Sequence, residues 1–132
     1  MTRNRASAKA AGAKFERTMA DYLAAFVDDR IDRRVKTGAK DRGDIGGLRH
    51  MTKRVVIECK DEATVKLGPW LREAEIERGN DDALAGIVMH KRHGNADPGA
   101  QIVSMTALDF VALMTGDRPV RMCAERDDGP IV

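Results

Sequence analysis

The chain has 132 residues, of which 42% are hydrophobic and 33% charged, with 23 Lys and Arg against 21 Asp and Glu. This length suits one domain with a core of its own. No stretch approaches the roughly 20 apolar residues of a membrane span, and the N-terminus lacks the apolar run of a signal peptide. We therefore expect a cytoplasmic, intracellular protein whose two cysteines are reduced.

Positive charges are unevenly distributed along the chain, although the formal net charge is only +2. Such separation can give a basic face to a nearly neutral protein, and a basic face is the usual electrostatic feature of nucleic-acid binding. An ordinary solvated surface is the alternative explanation. The candidate DNA-binding residues are Arg3, Arg5, Lys9, Lys14, Lys36, Lys40, Arg42, Lys91 and Arg92.

The chain opens with a basic arm and a first helix. Residues 1–12 are small and basic, and we predict a flexible arm that could extend the helix. From Phe15 to Phe26 apolar side chains recur at helical spacing. Glu16 borders this apolar stripe, and its position alone indicates an acid on the helix surface. We expect the folded domain to cover residues 13–116, followed by a C-terminal tail over residues 117–132.

Three strands are predicted next. The first covers residues 31–37, and a glycine-flanked basic loop then leads to Asp44. The second covers residues 45–48, where glycines either form a bulge or leave room for another backbone. The third covers residues 54–60, because β-branched residues alternate there with period 2.

The hairpin of the second and third strands could bring charged side chains together. Glu58 and Lys60 share one face of a strand that otherwise looks buried, and buried charge is costly unless it is paired or binds a metal. A turn near Met51 or Thr52 puts Asp44 opposite Glu58 or Lys60 on the same face. A slip of one residue would move Asp44 to the other face.

The remaining elements are two helices and two strands. The second helix opens at residues 66–70 and ends near Gly79, with Glu73, Glu75 and Glu77 mostly facing solvent. Strands follow at residues 84–89 and 102–105. The third helix, residues 107–114, is apolar almost all round, so it is either deeply packed or lies at a subunit contact. The predicted order is α-β-β-β-α-β-β-α.

Asp44 and Glu58 would offer hard oxygen ligands suited to Mg²⁺ or Mn²⁺, and the main-chain carbonyl of Cys59 could add another. A metal there would activate a water and stabilise charge that develops on a phosphodiester. Lys60 could hold that water or neutralise the transition state. The alternative is an ordinary cross-strand pair of Lys60 and Glu58 on an exposed face.

Gly43-Asp44-Ile45 and Ile57-Glu58-Cys59-Lys60, with 13 residues between Asp44 and Glu58, resemble the bipartite motif of the PD-(D/E)XK nuclease superfamily. Gly43 replaces the proline of the name. The resemblance covers roughly residues 14–105 and implies an α/β fold in which helices flank a central mixed five-stranded sheet. It also implies that Asp44 and Glu58 are metal ligands, that Lys60 is the catalytic lysine, and that Glu16 is a helix acid contacting the metal site.

Within that superfamily, the size and element order look most like the archaeal-type and bacteriophage-type Holliday-junction resolvases. The resemblance implies a Mg²⁺-dependent endodeoxyribonuclease of DNA recombination and repair that cuts four-way junctions as a homodimer, with Mn²⁺ as a substitute ion. Two alternatives stay open. One is a superfamily nuclease that acts on linear duplex, flaps or single strands, and the other is a non-catalytic nucleic-acid-binding module.

Overall fold

A computed structural model describes residues 3–36, 38 and 40–120 of the chain. This part of the chain forms an open, mixed sheet of six strands together with three helices, an α/β arrangement. In chain order the elements are α1 (Arg5–Phe26), β1 (Asp32–Arg33), β2 (Ile45–Gly46), β3 (Arg49–His50), β4 (Lys53–Lys60), α2 (Leu67–Asn80), β5 (Ala85–His90), a 3₁₀ turn (Pro98–Ala100), β6 (Ile102–Ser104) and α3 (Ala107–Thr115).

The sheet is mixed and has the spatial order β1-β2-β4-β5-β6, with β3 paired to β4 beyond the end of β2. The β4–β5 pair is parallel and the other pairs are antiparallel. The predicted α/β class and mixed sheet are confirmed. The strand count is six and not five, because the predicted second strand is interrupted between Gly46 and Arg49.

A two-residue turn joins β3 to β4. Met51 and Thr52 have φ values of 52° and 69°, as in the type I′ turns that match the twist of antiparallel strands. His50 lies opposite Lys53 across this turn. The turn therefore sets the register of the hairpin at its closed end.

The interruption between β2 and β3 shifts that register by one residue. Continued along the strands, the register at the turn would place Asp44 opposite Cys59. Instead Ile45 lies opposite Ile57, so Asp44 lies opposite Glu58 and on the same face of the sheet. The break thus has the effect of a β-bulge, which re-aims a side chain.

Gly47 is the residue at which this break occurs. Its φ of +93° is one that residues with a side chain rarely adopt, and a Cβ there would lie 2.7 Å from the carbonyl oxygen of Arg30. The prediction that a glycine here marks either a bulge or a close backbone approach is confirmed in both senses. The close approach joins β2 to the segment that follows α1.

The two faces of the sheet are covered by different helices. α1 packs Phe15 and Met19 against the face that carries Val55, Ile57 and Cys59. α2 packs on the other face, where a Cβ on Gly86 would lie 2.8 Å from the carbonyl oxygen of Ala74. Because Glu58 and Lys60 alternate with the α1-facing residues, they face α2.

One predicted boundary holds and others are wrong. α1 begins at Arg5, where Asn4 and Ser7 form a capping box, so most of the basic arm extends the first helix, as its sequence allowed. Phe26 is exposed and not in the core, and β1 has two residues instead of seven. Residues 121–132 of the predicted tail lie outside the described residues, whereas Arg118 packs back onto the domain through an ion pair with Asp109 at 2.7 Å.

α3 is not deeply packed. Phe110 and Met114 are 52% and 64% exposed, and Val111 is exposed as well; the buried residues of this helix are Asp109 and Ala112. None of the helices in the described part of the chain combines the length and apolar composition that crossing a membrane requires.

Candidate metal centre

Asp44 lies between the basic loop and the first residue of β2, and backbone hydrogen bonds fix its position. Its N–H donates to the carbonyl of Ile57 at 2.8 Å, and its carbonyl accepts from the N–H of Arg34 at 2.8 Å. The side chain is 3% exposed. Its Oδ2 accepts a hydrogen bond from the backbone N–H of Cys59 at 2.8 Å, so the carboxylate is oriented by the adjacent strand.

The second oxygen of Asp44 already contacts a cation. Nζ of Lys36 lies 2.9 Å from Oδ1, and the hydrogen bond to Asp44 raises the pKa of Lys36. The Lys36 side chain is largely exposed, so it can leave Asp44 without disturbing the core. A buried carboxylate with one oxygen on a backbone N–H and the other on a removable ammonium suits a bound cation.

Glu58 and Lys60 extend from β4 towards α2. Glu58 is 4% exposed; its Oε2 lies 3.2 Å from Nζ of Lys60, while its Oε1 has no hydrogen-bond partner among the described residues. Nζ of Lys60 also lies 2.7 Å from Oε1 of Glu73 on α2. Although burial opposes the charge of Lys60, these carboxylates raise its pKa. Lys60 is therefore protonated, and its ammonium is held in place by Glu58 and Glu73.

Glu16 approaches the centre from α1. Burial, and next the negative charge of Asp44, raise the pKa of Glu16, so the two carboxylates are close enough to repel each other. Oε1 of Glu16 is paired with Nη2 of Arg33 at 3.1 Å. The structure thus brings Glu16 near Asp44, with Arg33 as its direct partner.

Cys59 takes part through its backbone. Its N–H orients Asp44, whereas its thiol lies in the core that α1 covers, and burial raises the pKa of that thiol. The sulfur is free and lies on the α1 side of the sheet, opposite to the face that carries Glu58; Cys123 lies outside the described residues. A neutral, buried thiol is an inert group.

Glu77 and Asp41 are residues of the centre that the sequence reasoning missed. The prediction that Glu73, Glu75 and Glu77 face solvent is wrong for Glu77, which is 1% exposed. One carboxylate oxygen from each of Asp41, Glu58 and Glu77 lies within 4.8 Å of the others. The helical phase contained a signal for this, because Glu77 follows Trp70 and Ala74 at the spacing of one helix face.

Ionisation of the carboxyl groups in the centre is unfavourable without a cation. Burial, next the charge of Asp44 and then the hydrogen-bonding contact with Glu77 raise the pKa of Glu58. Burial raises the pKa of Glu77 to about 7. These shifts have a common cause, since several carboxylates share one poorly solvated space. A proton or a cation relieves their repulsion.

Some of the candidate DNA-binding residues border this centre. Lys36, Lys40 and Arg42 line a cavity of about 240 Å³ together with Asp41 and Gly43. The candidates at the N-terminus and after β5 lie elsewhere. Arg3, Lys14 and Lys91 line a cavity of about 280 Å³ next to Asp61, just after β4.

The rest of the predicted DNA-binding set is divided between free and engaged side chains. Arg5 and Lys9 are exposed on α1. The Arg92 side chain is tied to its own loop, where Nη1 donates to the carbonyl of Ala100 at 3.4 Å, and its backbone N–H donates to Oε1 of Gln101 at 2.7 Å. The basic residues thus form more than one patch.

Comparison with known proteins adds no relative. No family model matches the chain, no curated protein matches it, and no solved structure matches it.

Proposed function

We propose that this protein is a metal-dependent endodeoxyribonuclease of the PD-(D/E)XK type that resolves four-way DNA junctions. The observation that carries the proposal is the hairpin register. Asp44 lies opposite Glu58 because of the break at Gly47, and Lys60 contacts Glu58 on the same face. Buried charges in this arrangement contribute little to the stability of the fold, since the free energy that their desolvation costs is not recovered by packing alone.

The donor set fits Mg²⁺, with Mn²⁺ as a substitute. Both ions favour one or two carboxylates, with water and substrate phosphate completing the shell. Oδ1 of Asp44 contacts an ammonium that an ion could replace, and Oε1 of Glu58 is buried with no donor in the described part of the chain. When bound, such an ion polarises a phosphodiester and lowers the pKa of a bound water.

The side chains around that position have distinct roles in the proposal. Asp44 is a ligand that the Cys59 N–H holds in one orientation. Lys60, as an ammonium, orients the attacking water by donating to it and offsets negative charge on the phosphate. Glu16 stays outside the direct ligand set while Arg33 pairs with it, and it can hold a water of the ion's shell.

DNA would approach over the basic cavity beside Asp44. Lys36, Lys40 and Arg42 line it, and contacts from such residues to phosphates carry no sequence information. A phosphate that attracts Lys36 would also draw its ammonium away from Asp44. We expect binding that weakens steeply with salt and shows little sequence preference.

A homodimer is part of the proposal, since a four-way junction has approximate two-fold symmetry and must be cut on two strands. The exposed apolar residues of α3 and of β6, an edge strand, support a contact between two copies. Sedimentation velocity at micromolar concentration is expected to show a dimer, and Phe110→Glu to shift it towards monomer. A wild-type monomer on junction DNA would remove this part of the proposal.

The substrate is tested by measuring cleavage of a four-way junction, a fork and a linear duplex of matched sequence in Mg²⁺. We expect the junction to be cut at least about tenfold faster than the duplex at equal occupancy, a difference of about 1.4 kcal/mol in barrier. Equal rates on all three would refute the resolvase assignment and favour a general superfamily nuclease. Binding to all three without cleavage would favour the non-catalytic module.

A further inference from the structure

Glu77 is a buried acid that the proposed chemistry does not use. It is 1% exposed, and apart from the Glu58 carboxyl, which lies within hydrogen-bonding reach, its carboxylate oxygens have no hydrogen-bond partner among the described residues. A buried carboxylate without a donor is strongly unfavourable unless it is protonated or binds a cation. Either a proton shared with Glu58 or a bound cation must therefore stabilise this side chain on the inner face of α2.

We propose that Asp41, Glu58 and Glu77 form a second divalent-cation site, distinct from the position between Asp44 and Glu58. It would take a hard cation that prefers oxygen ligands, such as Ca²⁺ or Mn²⁺. Its three ligand oxygens lie within 4.8 Å of one another. Oxygens on opposite sides of a Ca²⁺ ion are about 4.6–5.2 Å apart, so the side chains need little rearrangement.

A second buried oxygen of the cluster, on Glu58, also lacks a hydrogen-bond donor in the part of the chain that the structure describes and indicates the same position. Oε1 of Glu58 is also buried and accepts no hydrogen bond from a donor group of residues 3–36, 38 and 40–120, whereas its Oε2 contacts Lys60. Glu58 can therefore offer Oε1 to a cation beside Glu77 while Lys60 stays in place, and this oxygen is then shared with the ion position beside Asp44. One divalent ion together with the Lys60 ammonium balances three carboxylates in this poorly solvated space.

Asp41 is held over Glu77 by contacts that leave one of its carboxylate oxygens available. The side chain of Asn80, one turn beyond Glu77, donates to the Asp41 carbonyl at 2.7 Å. Oδ1 of Asp41 accepts from the N–H of Gly43 at 2.8 Å. A cation bound here would join α2 to the basic loop that carries Lys40 and Arg42, so that ion binding orders the loop.

The competing explanation is a proton shared between Glu58 and Glu77. Such a pair would satisfy two of the unpartnered oxygens and would assign no role to Asp41. The two explanations differ in a measurable quantity, the number of cations bound per chain. They also differ in the effect of Asp41→Asn, which would weaken a cation site but leave a shared proton unchanged.

The test is a count of bound Mn²⁺ at pH 7.5 by electron paramagnetic resonance of the free ion, without DNA. For the full chain we expect about two ions, one for each of two neighbouring sites. Glu77→Gln should reduce the count to about one, Asp41→Asn should weaken one site at least about tenfold, and Glu75→Gln on the exposed face of α2 should change nothing. Gln is nearly isosteric with Glu, and circular dichroism verifies that each variant is folded.

The outcomes separate this inference from the proposed function. A Glu77→Gln variant that binds as many ions as the wild type would overturn the second site. So would a wild-type count of about one that Asp44→Asn abolishes and Glu77→Gln preserves, although the proposed nuclease centre would survive. A single ion lost in Glu77→Gln but kept in Asp44→Asn would support the second site and contradict the ligands assigned to the nuclease.

Discussion

Asp44→Asn is expected to lower the rate of Mg²⁺-dependent DNA cleavage by about 10³-fold or more. The carboxylate is the proposed ligand that the structure orients most strictly, through the N–H of Cys59. Asparagine keeps an oxygen to accept that hydrogen bond, so the hairpin should stay folded. What it loses is the negative charge that the ammonium of Lys36 contacts. Single-turnover cleavage of a labelled junction measures the effect.

The same variant should still bind DNA, because the basic residues are unchanged. Asp82→Asn is a matched control: Asp82 is exposed, its φ of 48° suits asparagine, and cleavage should stay within about twofold of the wild type, as for a surface substitution. An Asp44→Asn variant that cuts at the rate of this control would exclude Asp44 as a metal ligand.

Without divalent cations, the protein should become less stable as the pH rises from about 4.5 to about 7. Burial raises the pKa of Glu77 from 4.5 to about 7, so in this window the folded chain holds a proton that the unfolded chain has released. Stability from that proton is complete below the unfolded pKa and is lost as the pH passes the folded one. The free energy of unfolding should fall by about 1.4 kcal/mol per pH unit for each such group.

Glu77→Gln should reduce this pH slope and raise the melting temperature at pH 8 in EDTA by several degrees, since each kcal/mol corresponds to about 4–8 °C for a small domain. Thermal unfolding at pH 5, 6, 7 and 8 provides the measurement. Glu75→Gln is the control, because Glu75 forms surface ion pairs with Arg78 and Arg118, which contribute little. Identical slopes for the wild type and Glu77→Gln would show that Glu77 is ionised in the folded protein throughout.

The face of β4 could be predicted from sequence, but the register that completes the centre could not. Alternation of Val55, Ile57 and Cys59 with polar residues shows that Glu58 and Lys60 share a face. The two-residue turn would by itself place Asp44 on the opposite face. Only the break at Gly47 moves Asp44 to the face of Glu58. This break involves a close approach to the backbone of Arg30, which is distant in sequence.

The burial of Glu77 could be predicted only from helical phase, because the acidic composition of α2 indicates a solvated face. Three glutamates on one helix look like a solvated face, yet Glu77 continues the stripe of Trp70 and Ala74 that contacts the sheet. Its partners, Glu58 and Asp41, come from other elements. Acids that converge from three elements leave no local pattern in the sequence.

The exposure of α3 could not be decided from sequence for a similar reason. An apolar helix fits either a core or a contact between copies, and which applies depends on how many elements cover it. Here β6 is the last strand of the sheet, and Phe110, Val111 and Met114 of α3 are left exposed. Whether the arm extends α1 could not be decided from sequence because the small residues 5–12 give no apolar stripe, although Asn4 and Ser7 can cap a helix.

The most direct test of the central claim is single-turnover incubation of the wild-type protein with a four-way junction in Mg²⁺ and, in parallel, in EDTA. We predict nicked strands in Mg²⁺ and none in EDTA, because Asp44 and Glu58 require the ion to act on a phosphodiester. Folded protein that binds the junction but leaves it and every other DNA uncut across the full range of Mg²⁺ and Mn²⁺ concentrations would contradict the account.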